Sequence, residues 1–381
     1  MSALIRGVGY TKVREAWDRG IEDLALEAAQ KAIKDAKISK EQIEKVYFSS
    51  ALAETLENQR NLGSRVLDAL GLPGKPVINV SEGGSSGGTA INLASKEVKT
   101  GSDNVLVLGV EKLKDTLWSD LLQAEVQEES WDYLGAMGAT NTALEAILLR
   151  LYLRNFNADH KDIAKIVEIS HTNASNASHA EYPFPMTVDK VIKSPPIADP
   201  LRLFELAGVG DGAAAIVISS EKGPVELVAS EIATDKFKCF EREDMLKLEG
   251  ITKAATNAYE KAGISPSDID FAEIYDRSSI MAVLEIEALG MAERGKGHET
   301  LQDEKFTLKG ELPLNTFGGL KARGHPIGAT GVYQVAEATE QLRGNGGKNQ
   351  VKAAHLGLTL GLSGLGSHVV VNLLQRGGSN D

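Results

Sequence analysis

Apolar positions in the first 110 residues follow two alternating periods. Short apolar runs at 3–8, 45–50, 76–80 and 104–110 have the length and β-branched content of strands. Between them, 21–36, 58–70 and 88–99 carry Ala, Leu and Ile at helical spacing. The second of these stops at a Gly-Leu-Pro-Gly turn, residues 71–74. The run NVLVLGV at 104–110 is apolar throughout, as in a strand covered on both faces. This alternation predicts a layered α/β body with right-handed crossovers.

The pattern then repeats. Segment 28–44 (AAQKAIKDAKISKEQIE) aligns with 254–270 (AATNAYEKAGISPSDID) at a constant offset of 226 residues. Ala28, Ala29, Ala32, Ala36, Ile38, Ser39 and Ile43 recur as Ala254, Ala255, Ala258, Ala262, Ile264, Ser265 and Ile269. The alanines mark one helix face, and an Ile-Ser turn leads into a strand both times. Duplication of one α/β unit follows, with residues 1–110 plus 206–235 as the first half and 236–381 as the second. Residues 111–205 break the alternation, with helical stretches at 142–155 and 161–173 and an irregular Pro-containing segment at 182–200. An insertion of this length covers a site or an interface. Its plainer reading is a helical lid or dimer decoration that contributes no catalytic residue.

Composition narrows the class. Of 381 residues, 42% are hydrophobic and 25% charged, which excludes disordered and fibrous chains and allows a large core. A net charge of −12 repels phosphate backbones, so no nucleic-acid partner is expected. No stretch reaches the roughly 18 uncharged apolar residues of a membrane span, and the N-terminus does not read as a signal peptide. A soluble cytoplasmic protein is expected, with no membrane partner. Cys239 is the single cysteine, which excludes an internal disulfide and a thiolate metal cluster, and no metal is expected.

Three Gly-rich elements carry the candidate chemistry: VSEGGSSGG at 80–88, NTFGGLKARGHPIGATG at 315–331 and GLTLGLSGLG at 357–366. Glycines let backbone N–H groups approach a ligand, which suits a phosphate or a developing oxyanion. None of the three is a P-loop or a dinucleotide fingerprint. The second resembles the thiolase superfamily motif N-x-x-G-G-x-x-A-x-G-H-P-x-G-A-T-G. GVEK at 109–112, ADPL at 198–201 and GDG at 210–212 follow in the family's order. The chain looks most similar to the archaeal and sterol-carrier-protein-type thiolases (acetyl-CoA acetyltransferase-like). The resemblance implies a thiolase fold, in which the two halves form a five-layer αβαβα body with a helical loop-domain insertion. It also implies Claisen condensation or thiolysis of acyl-CoA, with coenzyme A thioester as substrate and no permanently bound cofactor. It further implies a homodimer or dimer of dimers, and a small OB-fold, zinc-ribbon partner.

By that resemblance His325 of Gly-His-Pro is catalytic. The family's nucleophilic cysteine opens a C-x-S-G-G loop; here Ser86-Gly87-Gly88 sets the register and Gly84 stands at the nucleophile position. Cys239 lies outside any Gly-rich turn, Ser85 is one residue off register, and Glu82 is a candidate base or helix cap. Where sterol-carrier-type thiolases have His-Asp-Cys-Phe, the chain has Tyr275-Asp276-Arg277-Ser278, and Leu360-Gly361 replaces a His-Asn pair. The candidate site is therefore His325, Tyr275 and Asp276, with Gly84, Ser86, Gly364 and Gly324 as oxyanion or CoA contacts. A phenol and an imidazole can move protons while N–H donors hold an enolate. Thiolase-like steroid side-chain aldolases are similar in lacking the cysteine and having Tyr-Asp here. Three functions follow: cysteine-free, aldolase-like carbon–carbon chemistry on acyl-CoA; a silent CoA-ester-binding or scaffold subunit; or a conventional acetyl-CoA acetyltransferase (3-ketoacyl-CoA thiolase).

Overall fold

A computed structural model describes residues 2–377. In the first half β1 (Leu4–Tyr10), β2 (Lys45–Ser49), β3 (Val77–Val80) and β4 (Val105–Glu111) alternate with α1 (Ile21–Asp35), α2 (Ala53–Leu56), α3 (Leu62–Ala69) and α4 (Ser86–Lys99). The insertion holds α5 (Trp118–Glu125), α6 (Asn141–Phe156), α7 (His160–Ala174) and α8 (Val188–Ile192), then a small hairpin of β5 (Pro196–Ala198) and β6 (Leu201–Arg202). After β7 (Gly212–Ser219) and β8 (Val225–Thr234) come α9 (Glu249–Ala262), β9 (Phe271–Glu273), α10 (Ser279–Ala288) and α11 (Gly297–Thr300). Last are α12 (Gly319–Ala322), α13 (Thr330–Arg343), β10 (Leu356–Ser363) and β11 (His368–Arg376).

The strands run in the order β3-β2-β4-β7-β1-β8-β11-β10-β9. β1 meets β8 through only Leu4–Glu226 and Ile5–Val225, so two half-sheets join at one corner. β8 pairs with β11 along its length, from Val225–Arg376 to Thr234–His368. It therefore belongs to the second half-sheet, and the boundary expected at residue 235 moves to the turn before β8. The repeat reappears in space: α1 and α9 each lead into a one-turn 3₁₀ helix and then a strand. Ser39 N–H donates to Gln42 Oε1 at 2.9 Å and Ser265 N–H to Asp268 Oδ2 at 2.7 Å, the same turn chemistry twice.

Three apolar bodies separate the layers. α1 and α3 cover the outer face of the first half-sheet, and α4 and α13 lie between the two half-sheets. α9 and α10, with α6 and α7 of the insertion, cover the second half-sheet. α4 and α13 touch backbone to backbone: a Cβ on Gly87 would meet Val332 N at 2.8 Å, and one on Gly331 would meet Gly88 N at 2.5 Å. These glycines therefore serve helix contact. The helix expected at 58–70 begins only at Leu62, because Asn58 and Asn61 adopt left-handed backbone (φ +51° and +60°).

Two buried carboxylates from the family-like segments act as anchors, and one of them, Glu111, ties the first half to the second. Glu111, at the end of β4, accepts from Ser50 Oγ, from the N–H groups of Ala51, Leu52 and Ala53, and from Gly328 N–H at 2.8–3.1 Å. Gly328 lies three residues beyond His325, so Glu111 fixes that loop to the first half. Asp211 accepts from Ala16, Leu113 and Lys114 N–H and from Lys112 Nζ, all within 2.9 Å. Glu111→Ala orphans several buried donors and is expected to cost about 3 kcal/mol or more. Urea unfolding measures this; a loss below about 1 kcal/mol would contradict the anchoring role.

Candidate active site

Tyr275 leaves the end of β9 and His325 sits just ahead of α13, at the meeting point of the two halves. The Tyr275 hydroxyl lies 3.2 Å from His325 Nε2, the rings cross edge-on at 5.3 Å, and His325 Nδ1 lies 2.9 Å from Thr330 Oγ1. With Nδ1 protonated toward Thr330, Nε2 is free to accept the phenol proton. The backbone of each residue is held as well. Tyr275 N–H donates to Glu285 Oε2 at 2.9 Å, and His325 N–H to the Gly208 carbonyl at 3.0 Å. Burial, reinforced by Arg277 and Arg323, holds the imidazole well below its usual pKa. Burial, with Glu128 nearby, holds the phenol well above its own. Both groups are neutral near pH 7, the condition for passing one proton back and forth.

Gly84 lies directly beneath the phenol. A Cβ there would fall on the Tyr275 hydroxyl, 2.6 Å from its Cζ and 2.5 Å from the Leu362 carbonyl. Tyr275 thus fills the volume a side chain at position 84 would use. Gly364 N–H, one of the expected oxyanion donors, instead donates to Glu128 Oε2 at 2.9 Å. Burial pushes that carboxyl up.

The other expected site residues lie elsewhere. Asp276 turns away from Tyr275: its carboxylate takes Leu320 N–H at 2.7 Å and Ser170 Oγ at 3.1 Å, anchoring α12 to α7. Ser86 Oγ donates to the Gly83 carbonyl and accepts Glu82 N–H at 2.7 Å, closing its own loop. Gly324 has φ +104°, with Val13 Cγ1 2.6 Å from where a Cβ would stand, so it is needed for the turn. Ser85 Oγ is fully buried and 2.8 Å from each of His368 Nδ1, Ser363 Oγ and the Glu82 carbonyl, a Ser-His contact the sequence did not suggest. Cys239 packs in the core formed by the second half and the insertion, and burial raises its thiol pKa. No group of three or more His, Cys, Asp or Glu suited to a metal is present among the described residues.

A cavity of about 400 Å³ leads to His325. The insertion supplies much of its wall, including Trp118, Leu122, Tyr182, Phe184, Met186 and Phe204. Arg277 lines it too, paired to Glu145 at 2.5 Å and 3.8 Å from Glu128. Glu125 is a further lining residue, its carboxyl pushed up to about 7 by burial. An apolar chamber ending on an imidazole and a guanidinium, with the Tyr275 phenol behind the imidazole, suits an acyl group whose reacting end is polar.

Known proteins share this arrangement of halves. The family description "Thiolase, N-terminal domain" matches residues 9–222, and "Thiolase C-terminal domain-like" matches residues 232–376. The chain belongs to the thiolase superfamily. It is 34% identical over 378 residues to the acetyl-CoA acetyltransferase of Methanothermobacter thermautotrophicus, covering 97% of this chain and 98% of that one. It is also 34% identical to sterol carrier protein 2 of Rattus norvegicus, covering 97% of this chain and 71% of that one. Among solved structures, the Ltp2-ChsH2(DUF35) aldolase superposes with a TM-score of 0.85 at 21% identity, covering 97% of both chains. The break between the two matched regions, 222 to 232, brackets the start of β8. The fold is the thiolase fold, and the superfamily acts on CoA thioesters. No helix among the described residues is long and apolar enough to cross a membrane.

Proposed function

We propose that this thiolase-superfamily protein makes or breaks a carbon–carbon bond in an acyl-CoA without a cysteine acyl-enzyme, as an aldolase does. The carrying observation is the Tyr275 hydroxyl, bonded to His325 Nε2 in the space above Gly84. In the cleavage direction a β-hydroxyacyl-CoA gives its hydroxyl proton to His325 Nε2, and the freed O–H electron pair forms a carbonyl. The Cα–Cβ pair moves onto Cα and the thioester oxygen as an enolate, and Cα then takes a proton. Tyr275 gives that proton and regains one through His325, so no acyl group passes to the protein. Gly84 offers no nucleophile, and the one thiol, Cys239, is buried in the core.

This reading includes acyl-CoA as substrate and a homodimer or dimer of dimers. It also includes a small partner subunit, in line with the assembly named for the Ltp2-ChsH2(DUF35) aldolase. The silent-subunit reading gains one observation, the carboxylate of Glu128 on the Gly364 N–H. Conventional acetyl transfer is favoured by the names of the relatives and needs an acceptor that position 84 lacks.

The test incubates purified protein with 3-hydroxyacyl-CoA and follows release of an aldehyde or ketone together with a shortened acyl-CoA. Acetoacetyl-CoA plus CoA runs in parallel. Cleavage of the first without thiolysis of the second is expected. Thiolysis would sink the proposal in favour of the acetyltransferase, and silence toward both, with CoA esters still bound, would favour the subunit.

A further inference from the structure

We infer that Glu128 is a resident plug, its carboxylate occupying the Gly364 N–H donor that a substrate oxygen must take over. The inference rests on the thioester reading above and adds a residue that competes with the substrate inside the site.

Geometry carries it. One Glu128 oxygen accepts Gly364 N–H at 2.9 Å. The next residue repeats the contact, Glu129 Oε1 accepting Leu365 N–H at 2.7 Å. Consecutive carboxylates thus hold consecutive N–H groups of the β10–β11 turn. Glycines make room for them. Gly83 (φ +52°) would set a Cβ 2.6 Å from Glu128 Oε1, and Gly364 (φ +52°) would set one 2.9 Å from the Glu128 carbonyl. Backbone N–H groups of a Gly-rich turn that hold carboxylates are donors for negative oxygen, and an enolate or polarised thioester oxygen has the same requirement.

The cavity stops at this point. Among the described residues His325 and Arg277 line it, whereas Tyr275, Gly84 and Gly364 do not. A thioester that enters therefore meets the Gly364 donor already filled.

Glu128 is also free to leave. Glu111 and Asp211 hold their donors from the ends of strands and have many partners. Glu128 ends a single 3₁₀ turn, Val126–Glu128, and is followed by the π turn Trp131–Gly135. The outer side chains of that segment, Trp131, Tyr133 and Met137, are exposed. Departure leaves no orphan cation, because Arg277 keeps Glu145 at 2.5 Å. A buried carboxylate regains its hydration on leaving, which offsets part of the lost bonds.

The test titrates full-length protein with acetoacetyl-CoA and with free CoA by calorimetry. Wild type is compared with Glu128→Ala and with the isosteric Glu128→Gln, which retains an accepting carbonyl if the alanine variant fails to fold. Thioester affinity is expected to rise about tenfold in Glu128→Ala and less in Glu128→Gln. Free CoA has no thioester oxygen, so its affinity should not change. Equal thioester affinity in all three proteins would overturn the plug. So would a fall in turnover at unchanged affinity, which would make Glu128 an acid or base instead. If no protein binds either compound, the thioester reading fails and takes the inference with it.

Discussion

Cleavage of a β-hydroxyacyl-CoA is expected to fall by about 10²–10⁴-fold in Tyr275→Phe, and by a similar factor in His325→Ala. The phenylalanine keeps the ring that packs over Gly84 and removes only the hydroxyl 3.2 Å from His325 Nε2. Thermal unfolding should therefore change little. Because the two groups pass one proton between them, the double variant should be little slower than the worse single one. Turnover kinetics on the four proteins measures this. Multiplying defects would mean that the two residues act separately, and an active Tyr275→Phe would remove the phenol from the chemistry.

The same pair fixes the pH behaviour. A lowered imidazole pKa means that His325 becomes protonated only well below pH 6.5, and a raised phenol pKa means that Tyr275 ionises only well above pH 10. Neither titrates between pH 6 and 8, so this pair adds no limb to the rate profile there. A limb near 7 would point to Glu125 or Lys321 in the cavity wall, the carboxyl pushed up to about 7 and the ammonium down to about 7 by burial. Glu125→Gln should flatten the profile if the carboxyl carries the limb, whereas a limb that survives this change would implicate Lys321.

Much of this was legible in the sequence, for identifiable reasons. Strands such as β4 and the alanine faces of α1 and α9 follow from periodicity, and the offset between their segments gives the duplication. Periodicity places the first half's helix at 58–70, but it starts at Leu62 because Asn58 and Asn61 adopt left-handed backbone, which periodicity does not register. β8 pairs with β11 of the second half, which the sequence does not reveal because it says nothing about which neighbour a strand pairs with. Within the site, His325 and Tyr275 could be nominated only through the Gly-His-Pro motif and its relatives. Their contact spans 50 residues of chain. Glu128 was missed altogether. It lies in the unpatterned insertion, and its partner Gly364 is 236 residues away. Asp276 shows the opposite error: a residue beside a catalytic candidate in sequence faces the other way when the strand ends.

The largest structural effect is expected at Gly84. Gly84→Cys would restore the residue type that the thiolase resemblance implies for this position. Its Cβ would nonetheless stand on the Tyr275 hydroxyl and 2.5 Å from the Leu362 carbonyl. Overpacking of a tight buried site against backbone costs about 3 kcal/mol, and the displaced phenol would lose His325, so activity should vanish as well. The thiol and the phenol exclude one another: one pocket holds either a nucleophile on the loop or a tyrosine from β9. Gly84→Cys/Tyr275→Ala tests this directly. Removing the ring clears the worst contact and leaves the Leu362 carbonyl, so the double variant should recover at least about 1 kcal/mol relative to the sum of the single losses. Urea unfolding of the two single variants and the double variant measures that coupling. Additive losses would show that position 84 and Tyr275 do not share a volume, and the register that sets Gly84 at the nucleophile position would fall with them. If the coupling is found, mass spectrometry after incubation with acetyl-CoA asks the next question. Acetylation confined to the double variant would mean that the phenol alone had closed the site to acyl transfer.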